Sequence, residues 1–281
     1  AHLVDTSNGH DLWADRLDHK IEDVFSLQEE IAAAVVGHID WELRFDLREQ
    51  ARLKRGEVNV WDRVQKALWH LFKFTDEDTQ KANDILSKTI DMTPDYALAH
   101  AVKANAELRK LFFVQVDDRK GAKERVLYHA ERAVALDEHS SFAHATLARA
   151  YTLYNRRDAA IAEAELAVSL NPSAANAHLV LGYTQLVNGQ VKQALAHFET
   201  ATRFGPSGPY FKVKLLSKAM CLYLLDNLEQ AEACARTTLE GRSVGPFGHY
   251  VLAVILIRQH RIEEARQIVR QSKDIRPDKT C

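Results

Sequence analysis

The chain has 281 residues, of which 27% are charged and 46% hydrophobic, a composition that excludes a disordered tail and a membrane-spanning bundle. Lys plus Arg number 37 against 39 Asp plus Glu, and a net charge of −2 leaves no electrostatic footprint for nucleic acid or an anionic membrane. Only 11 Gly and 6 Pro, in a chain rich in Ala and Leu, favour long helices joined by short turns.

The three cysteines form no Cys-x-x-Cys pair, which predicts a reduced, cytoplasmic protein with Cys221 and Cys234 as small buried hydrophobes. The longest apolar run, Tyr250 to Ile257, is too short to cross a bilayer. The start, Ala-His-Leu-Val, lacks both Met and a signal-peptide pattern, so the chain reads as a piece of a longer polypeptide.

In chain order, residues 1–56 are expected to form a short β-hairpin and a long helix. Ala1 to Asp5 reads as a strand, Thr6 to His10 as a polar turn and Asp11 to Asp18 as a second extended stretch; Asn8-Gly9 between apolar runs is a hairpin signal. Ser26-Leu27-Gln28-Glu29 is a capping box, and Leu27, Ile31, Val35, Ile39, Leu43 and Leu47 line one face of a helix reaching about Lys54. The phrase Leu3-Val4-Asp5, Gly9-His10-Asp11-Leu12-Trp13, Asp18 and Asp23 to Ile31 resembles the end of the TolB-like domain. That domain precedes helical repeats in bacterial class III adenylate cyclase-like proteins and in winged-helix transcription regulators. Only its last hairpin and helix are matched, which implies open strand edges that pair with another chain or pack on helical repeats downstream.

From residue 57 onward the chain repeats itself. Pro172 and Pro206 close similar phrases one period apart, and Ala160 with Ala194, Ala167 with Ala201 and Leu147 with Leu181 keep the same spacing. A period of about 34 residues resembles the tetratricopeptide repeat, a helix–turn–helix unit. Approximate repeats fall at 63–96, 97–140, 141–174, 175–208, 212–245 and 246–279. The resemblance implies an all-α fold, a right-handed superhelix of about six helical hairpins, each too small to bury its apolar face alone. Small residues such as Ala148, Gly182, Ala219 and Ala253 would let paired helices approach, while Leu147, Leu181 and Phe198 fill the gaps. The pattern is irregular at Lys103 and Lys218, which stand where Leu is expected, and around Val116 to Lys123, which adds about ten residues to one hairpin.

Thirteen histidines invite a metal or catalytic reading. His100, His144, His178 and His249 recur at the aromatic position of successive first helices, however, and read as a packing column. No zinc-type ligand spacing, glycine phosphate cradle or nucleophile motif occurs, so the segment is expected to be non-catalytic and to need no cofactor. Gly241, Gly245 and Gly248 read as a turn beside Pro246, and Asp117-Asp118 as a solvated loop tip.

The resemblance places a partner groove on the first helices of the repeats. Carried over, it is lined by Phe142, Arg149, Leu179, Tyr183, Leu186, Leu216, Met220, Tyr223, Phe247 and Tyr250. This lining is apolar and aromatic, and lacks the Lys, Asn and Arg set with which chaperone-binding relatives clamp a terminal carboxylate. It suits a hydrophobic helix or extended protein segment. Self-association and plain intramolecular packing, either between adjacent repeats or against the 26–54 helix, are the competing readings. Tyr250 to Ile257, apolar on every side, is expected to be buried all round and predicts a homodimer through the C-terminal repeat; the open edges of the N-terminal hairpin offer the other homodimer contact. The resemblance as a whole implies the regulatory C-terminal part of a bacterial signalling protein, adenylate cyclase-like. The alternative is the sensory module of a winged-helix transcription regulator.

Overall fold

The computed structural model describes residues 2–4, 11–14, 59–113, 118–205, 210–240 and 246–275. Of the N-terminal segment it gives only two short strands, β1 (His2–Val4) and β2 (Asp11–Ala14), paired antiparallel with Leu3 opposite Trp13. The turn between them and the helix expected over 26–54 lie outside the described residues, so the hairpin–helix unit remains an expectation. The rest is helical. Twelve helices are present among the described residues: α1 (Val60–Leu71), α2 (Asp76–Met92), α3 (Ala97–Phe113), α4 (Arg119–Leu136), α5 (Ser141–Leu153), α6 (Arg157–Leu170), α7 (Ala175–Val187), α8 (Val191–Phe204), α9 (Phe211–Leu224), α10 (Leu228–Leu239), α11 (Phe247–Arg258) and α12 (Ile262–Ile275).

Local chemistry explains where these helices start and stop. Side chains of Asn59, Thr75, Asp118, Ser140 and Asn227 accept from backbone N–H groups in the first turn of α1, α2, α4, α5 and α10. Asp118 therefore has a structural task as a cap; Asp117 lies outside the described residues. Within hairpins the first helix ends at a residue of positive φ: Asn155 (55°), Gly189 (78°), Asp226 (61°) and His260 (62°). The residue after each returns its N–H to a carbonyl five residues back, as in Arg156 to Tyr151 at 3.0 Å and Arg261 to Leu256 at 2.9 Å. That bond satisfies an orphan carbonyl and reverses the chain in very few residues.

The chain divides into two compact units, Ala1–Ala177 with Arg203–Pro206, and His178–Thr202 with Ser207–Cys281. In the first, Val64, Ala67, Leu71, Ala82, Leu86, Ala99 and Val102 join α1, α2 and α3 in one core. Ala104, Leu108, Leu111, Ala122, Val126, Ala130, Leu147 and Ala150 continue it through α3, α4 and α5. Lys103 is only 8% exposed, and its ammonium donates to Asn83 Oδ1 at 2.9 Å, Asn83 O at 3.2 Å and Ser87 Oγ at 2.9 Å on α2. These acceptors, together with the buried Glu107 carboxylate 3.5 Å away, compensate the buried charge of a lysine that stands where the repeat pattern expects leucine.

In the second unit Ala194, Phe198 and Cys221 form a core flanked by Leu179, Leu186, Val191 and Leu195. Ala219, Leu222, Ala231, Ala235, Leu252, Ile255, Leu256 and Ala265 form another across α9 to α12. Burial raises the Cys221 thiol to about 11, so it behaves as an inert apolar side chain. A Cβ at Gly182 would lie 2.8 Å from the Phe198 ring, so glycine there permits the close approach of α7 and α8. Lys218, the other departure from leucine, is half-buried and pairs with Glu199 at 3.1 Å.

Two sequence expectations change. Gly248 is not in a turn but inside α11, where a Cβ would meet Thr238 and Leu239 of α10 at 3.0 Å. Helix α11 is not buried all round: Leu252, Ile255 and Leu256 are fully buried, whereas Phe247, Val254 and Ile257 are 51%, 46% and 52% exposed. Its apolar composition serves two faces, of which α9, α10 and α12 cover one.

Candidate partner-binding face

The candidate residues fall into two groups, and the structure treats them differently. In the first unit, Phe142 is half-buried against the α1–α3 core and against Ala101, Ala133 and Ala143. The Arg149 guanidinium donates to Asn105 Oδ1 on α3, and Asn105 Nδ2 in turn donates to Thr146 Oγ1 at 2.8 Å. Both side chains are thus engaged in holding α5 against α3.

In the second unit the first helices of the hairpins are α7, α9 and α11, and α9 packs beside α11. Each sends a small residue inward, Gly182, Ala219 or Ala253. The next residue along an α-helix is turned by roughly 100°. The next residues here are Tyr183, Met220 and Val254: Tyr183 is 39% exposed and Met220 half-buried. Three residues further, Tyr223 and Leu186 are half-buried against the cores, and Ile257 is exposed. Phe247 and the half-buried Tyr250 extend the apolar surface toward the start of α11. Leu179 is half-buried within the α7–α8 core, and Leu216 is only 6% exposed. Of the candidate side chains in this unit, Tyr183 and Phe247 are exposed and Met220, Tyr223 and Tyr250 half-buried, and Val254 and Ile257 add exposed apolar surface on α11. Ile257 was missed because the carried-over pattern was cut short in the last repeat; its period relation to Tyr223 was the signal.

The histidine column is buried as expected, and its hydrogen bonds go beyond packing. His100 Nε2 lies 2.9 Å from the Pro94 carbonyl oxygen, and His144 Nε2 2.8 Å from that of Glu138. Each binds the start of its first helix to the end of the preceding hairpin. Among the described residues no group of three or more His, Cys, Asp or Glu is placed to hold a metal ion. No described helix is long and apolar enough to cross a membrane.

Residues 147–209 and 246–271 match family models described as tetratricopeptide repeat, so the chain carries such repeats. A protein of Rhizobium meliloti (strain 1021), provisionally named adenylate cyclase 3, is 28% identical over 166 residues. The match covers 57% of this chain and 27% of the relative, so the chain spans about a quarter of that relative's length. Among solved structures, a tetratricopeptide repeat protein from Parabacteroides merdae ATCC 43184 aligns with a TM-score of 0.56 at 12% identity, covering 91% of this chain and 95% of that one. Pseudomonas aeruginosa PilF aligns at 0.53 and 18% identity, covering 83% and 95%. A chain of the APC/C hetero-tetramer Cut9–Hcn1 aligns at 0.63 and 12% identity, covering 89% and 46%. At these identities the likeness is one of fold.

Proposed function

We propose that this chain is a cytoplasmic protein-interaction module, the regulatory C-terminal part of an adenylate cyclase-like bacterial signalling protein. Its second unit receives an apolar protein segment on the first helices of its hairpins. The cyclase-like setting is supported by the similarity to the Rhizobium meliloti relative over more than half of this chain. The binding mode is supported by one observation above the rest: Tyr183, Phe247, Val254 and Ile257 are large apolar side chains, each at least 39% exposed, on α7 and α11. Exposed apolar surface of this kind marks interaction sites, and aromatic side chains supply large contact area at low entropic cost. Arg149, the one cation in the candidate set, is already committed to Asn105, so the lining offers no ready clamp for a carboxylate. A helix with apolar anchors three and four residues apart fits this surface better than a charged tail.

Selection from a displayed library of helical and extended peptides tests the reading. Winners should carry Leu, Phe or Trp anchors at helical spacing, and should bind equally well with a free or an amidated C-terminus. Replacing Tyr183→Ala and Phe247→Ala together should weaken them at least tenfold, since each anchor is worth more than about 1 kcal/mol. Winners that require a free carboxylate, or that bind the double variant unchanged, would contradict it.

A further inference from the structure

Two hairpins are bridged by histidine pairs whose geometry limits how many protons they can hold. His100, on α3, is 2% exposed. The Pro94 carbonyl oxygen beside its Nε2 can only accept, so Nε2 carries a hydrogen. Its Nδ1 lies 3.0 Å from Nδ1 of His129 on α4. With both rings neutral, His100 Nδ1 accepts and His129 Nδ1 donates. One added proton is tolerated, because a single hydrogen still lies between the two nitrogens. A second proton sets two N–H groups against each other. In the second unit His178 on α7 and His197 on α8 repeat the arrangement, with Nδ1 to Nδ1 at 3.1 Å and ring centroids 5.3 Å apart.

The hairpin of α5 and α6 supplies the contrast. Nineteen residues separate His178 from His197, and nineteen separate His144 from Glu163, so a carboxylate occupies the same place there. His144 Nδ1 lies 2.6 Å from Glu163 Oε2 while its Nε2 faces the Glu138 carbonyl. A carboxylate and a carbonyl oxygen, both acceptors, face this ring, so no second imidazole N–H is set against it.

We propose that the His100–His129 and His178–His197 pairs are acid-sensitive latches, whose double protonation parts α3 from α4 and α7 from α8 while α5 and α6 stay closed. The charges acting on the first pair are Lys103 and Glu107 of α3 and Arg125 of α4, with Arg132 of α4 one turn on and paired to Asp95. On the flanking helices, α2 brings Asp84, which acts on Lys103, and α5 brings His144, held by Glu163. Around the second pair, α9 brings Lys214, donating to Ala201 O, and Lys218, paired with Glu199 of α8. Burial, then the neighbouring His100, lowers His129 from 6.5 to about 4. Burial, then His178, also lowers His197 below the ordinary imidazole value.

Because the folded state holds fewer protons than the unfolded one, this contribution is complete above about pH 6.5 and is lost as pH falls toward about 4. For His129 alone the unfolding equilibrium constant should rise roughly twentyfold between pH 7 and pH 5. Imidazole 15N spectra of the whole chain, followed from pH 7.5 to 4.5, test the proposal together with amide exchange. His129 should show the Nδ1–H tautomer. His129 should remain neutral at pH 6 and His197 should titrate below the ordinary imidazole range, and amides of α3, α4, α7 and α8 should lose protection in acid before those of α5 and α6. In the double variant His129→Glu, His197→Glu, which copies the His144–Glu163 arrangement, the acid loss should shrink. If that variant does not fold, the wild-type spectra decide alone. Titration of both histidines near 6.5, or acid loosening shared equally by α5 and α6, would overturn the latch.

Discussion

Gly182 shows how much one side chain controls. The Phe198 ring it faces is fully buried, and an added methyl at 2.8 Å has no flexible neighbour to displace. We expect Gly182→Ala to destabilise the fold by about 1–3 kcal/mol through overpacking, measured by urea unfolding. A smaller change would mean that α7 and α8 separate more readily than the packing implies. The need for a small residue there was legible in the sequence, because Ala148, Ala219 and Ala253 recur at the same point of the period. The histidine bonds were not. The column itself was visible, yet its partners His129, Glu163 and His197 sit on second helices and differ in kind, so no repeated letter announced them. Lys103 was equally opaque, since Asn83 and Ser87, which accept its hydrogen bonds, belong to the preceding hairpin.

Helix α11 carries the lesson for elements. Its apolar sequence suggested burial on every side, because composition counts apolar residues without saying how many neighbours are there to cover them. The structure leaves a face open, and this asymmetry has an energetic signature. Leu252→Ala, at a fully buried site, should cost about 2–5 kcal/mol, whereas Ile257→Ala, 52% exposed, should change stability by less than about 1 kcal/mol. Similar losses from the two substitutions, read from chemical unfolding midpoints, would show that something covers the outer face of α11 in solution. The last helix, α12, is joined to α10 by Arg236 with Glu264 and by Arg261 with Glu232 at 2.7 Å. Exposed pairs of this kind contribute little individually. The attachment of α12 therefore rests mainly on Ala265 and Ile268 in the shared core.

For the whole molecule, the period of about 34 residues was the strongest signal in the sequence, and the helical repeat fold results from it. Short capped turns and small residues at helix contacts make each hairpin a unit that must stack to bury its apolar face. The candidate site was legible only in part. The repeat pattern marks which residues lie on first helices, but not whether Leu216 is withdrawn into the core or Phe142 and Arg149 are held by α3; those outcomes depend on contacts between repeats. The surface we propose for a partner is the apolar one on α7, α9 and α11. Amide exchange on the whole chain, with and without a peptide from the display selection, tests this most directly. Protection should increase on α7, α9 and α11, around Tyr183, Met220 and Tyr250, with little change on α8, α10 and α12. Protection confined to the second helices, or appearing first on α5 around Phe142, would contradict the account.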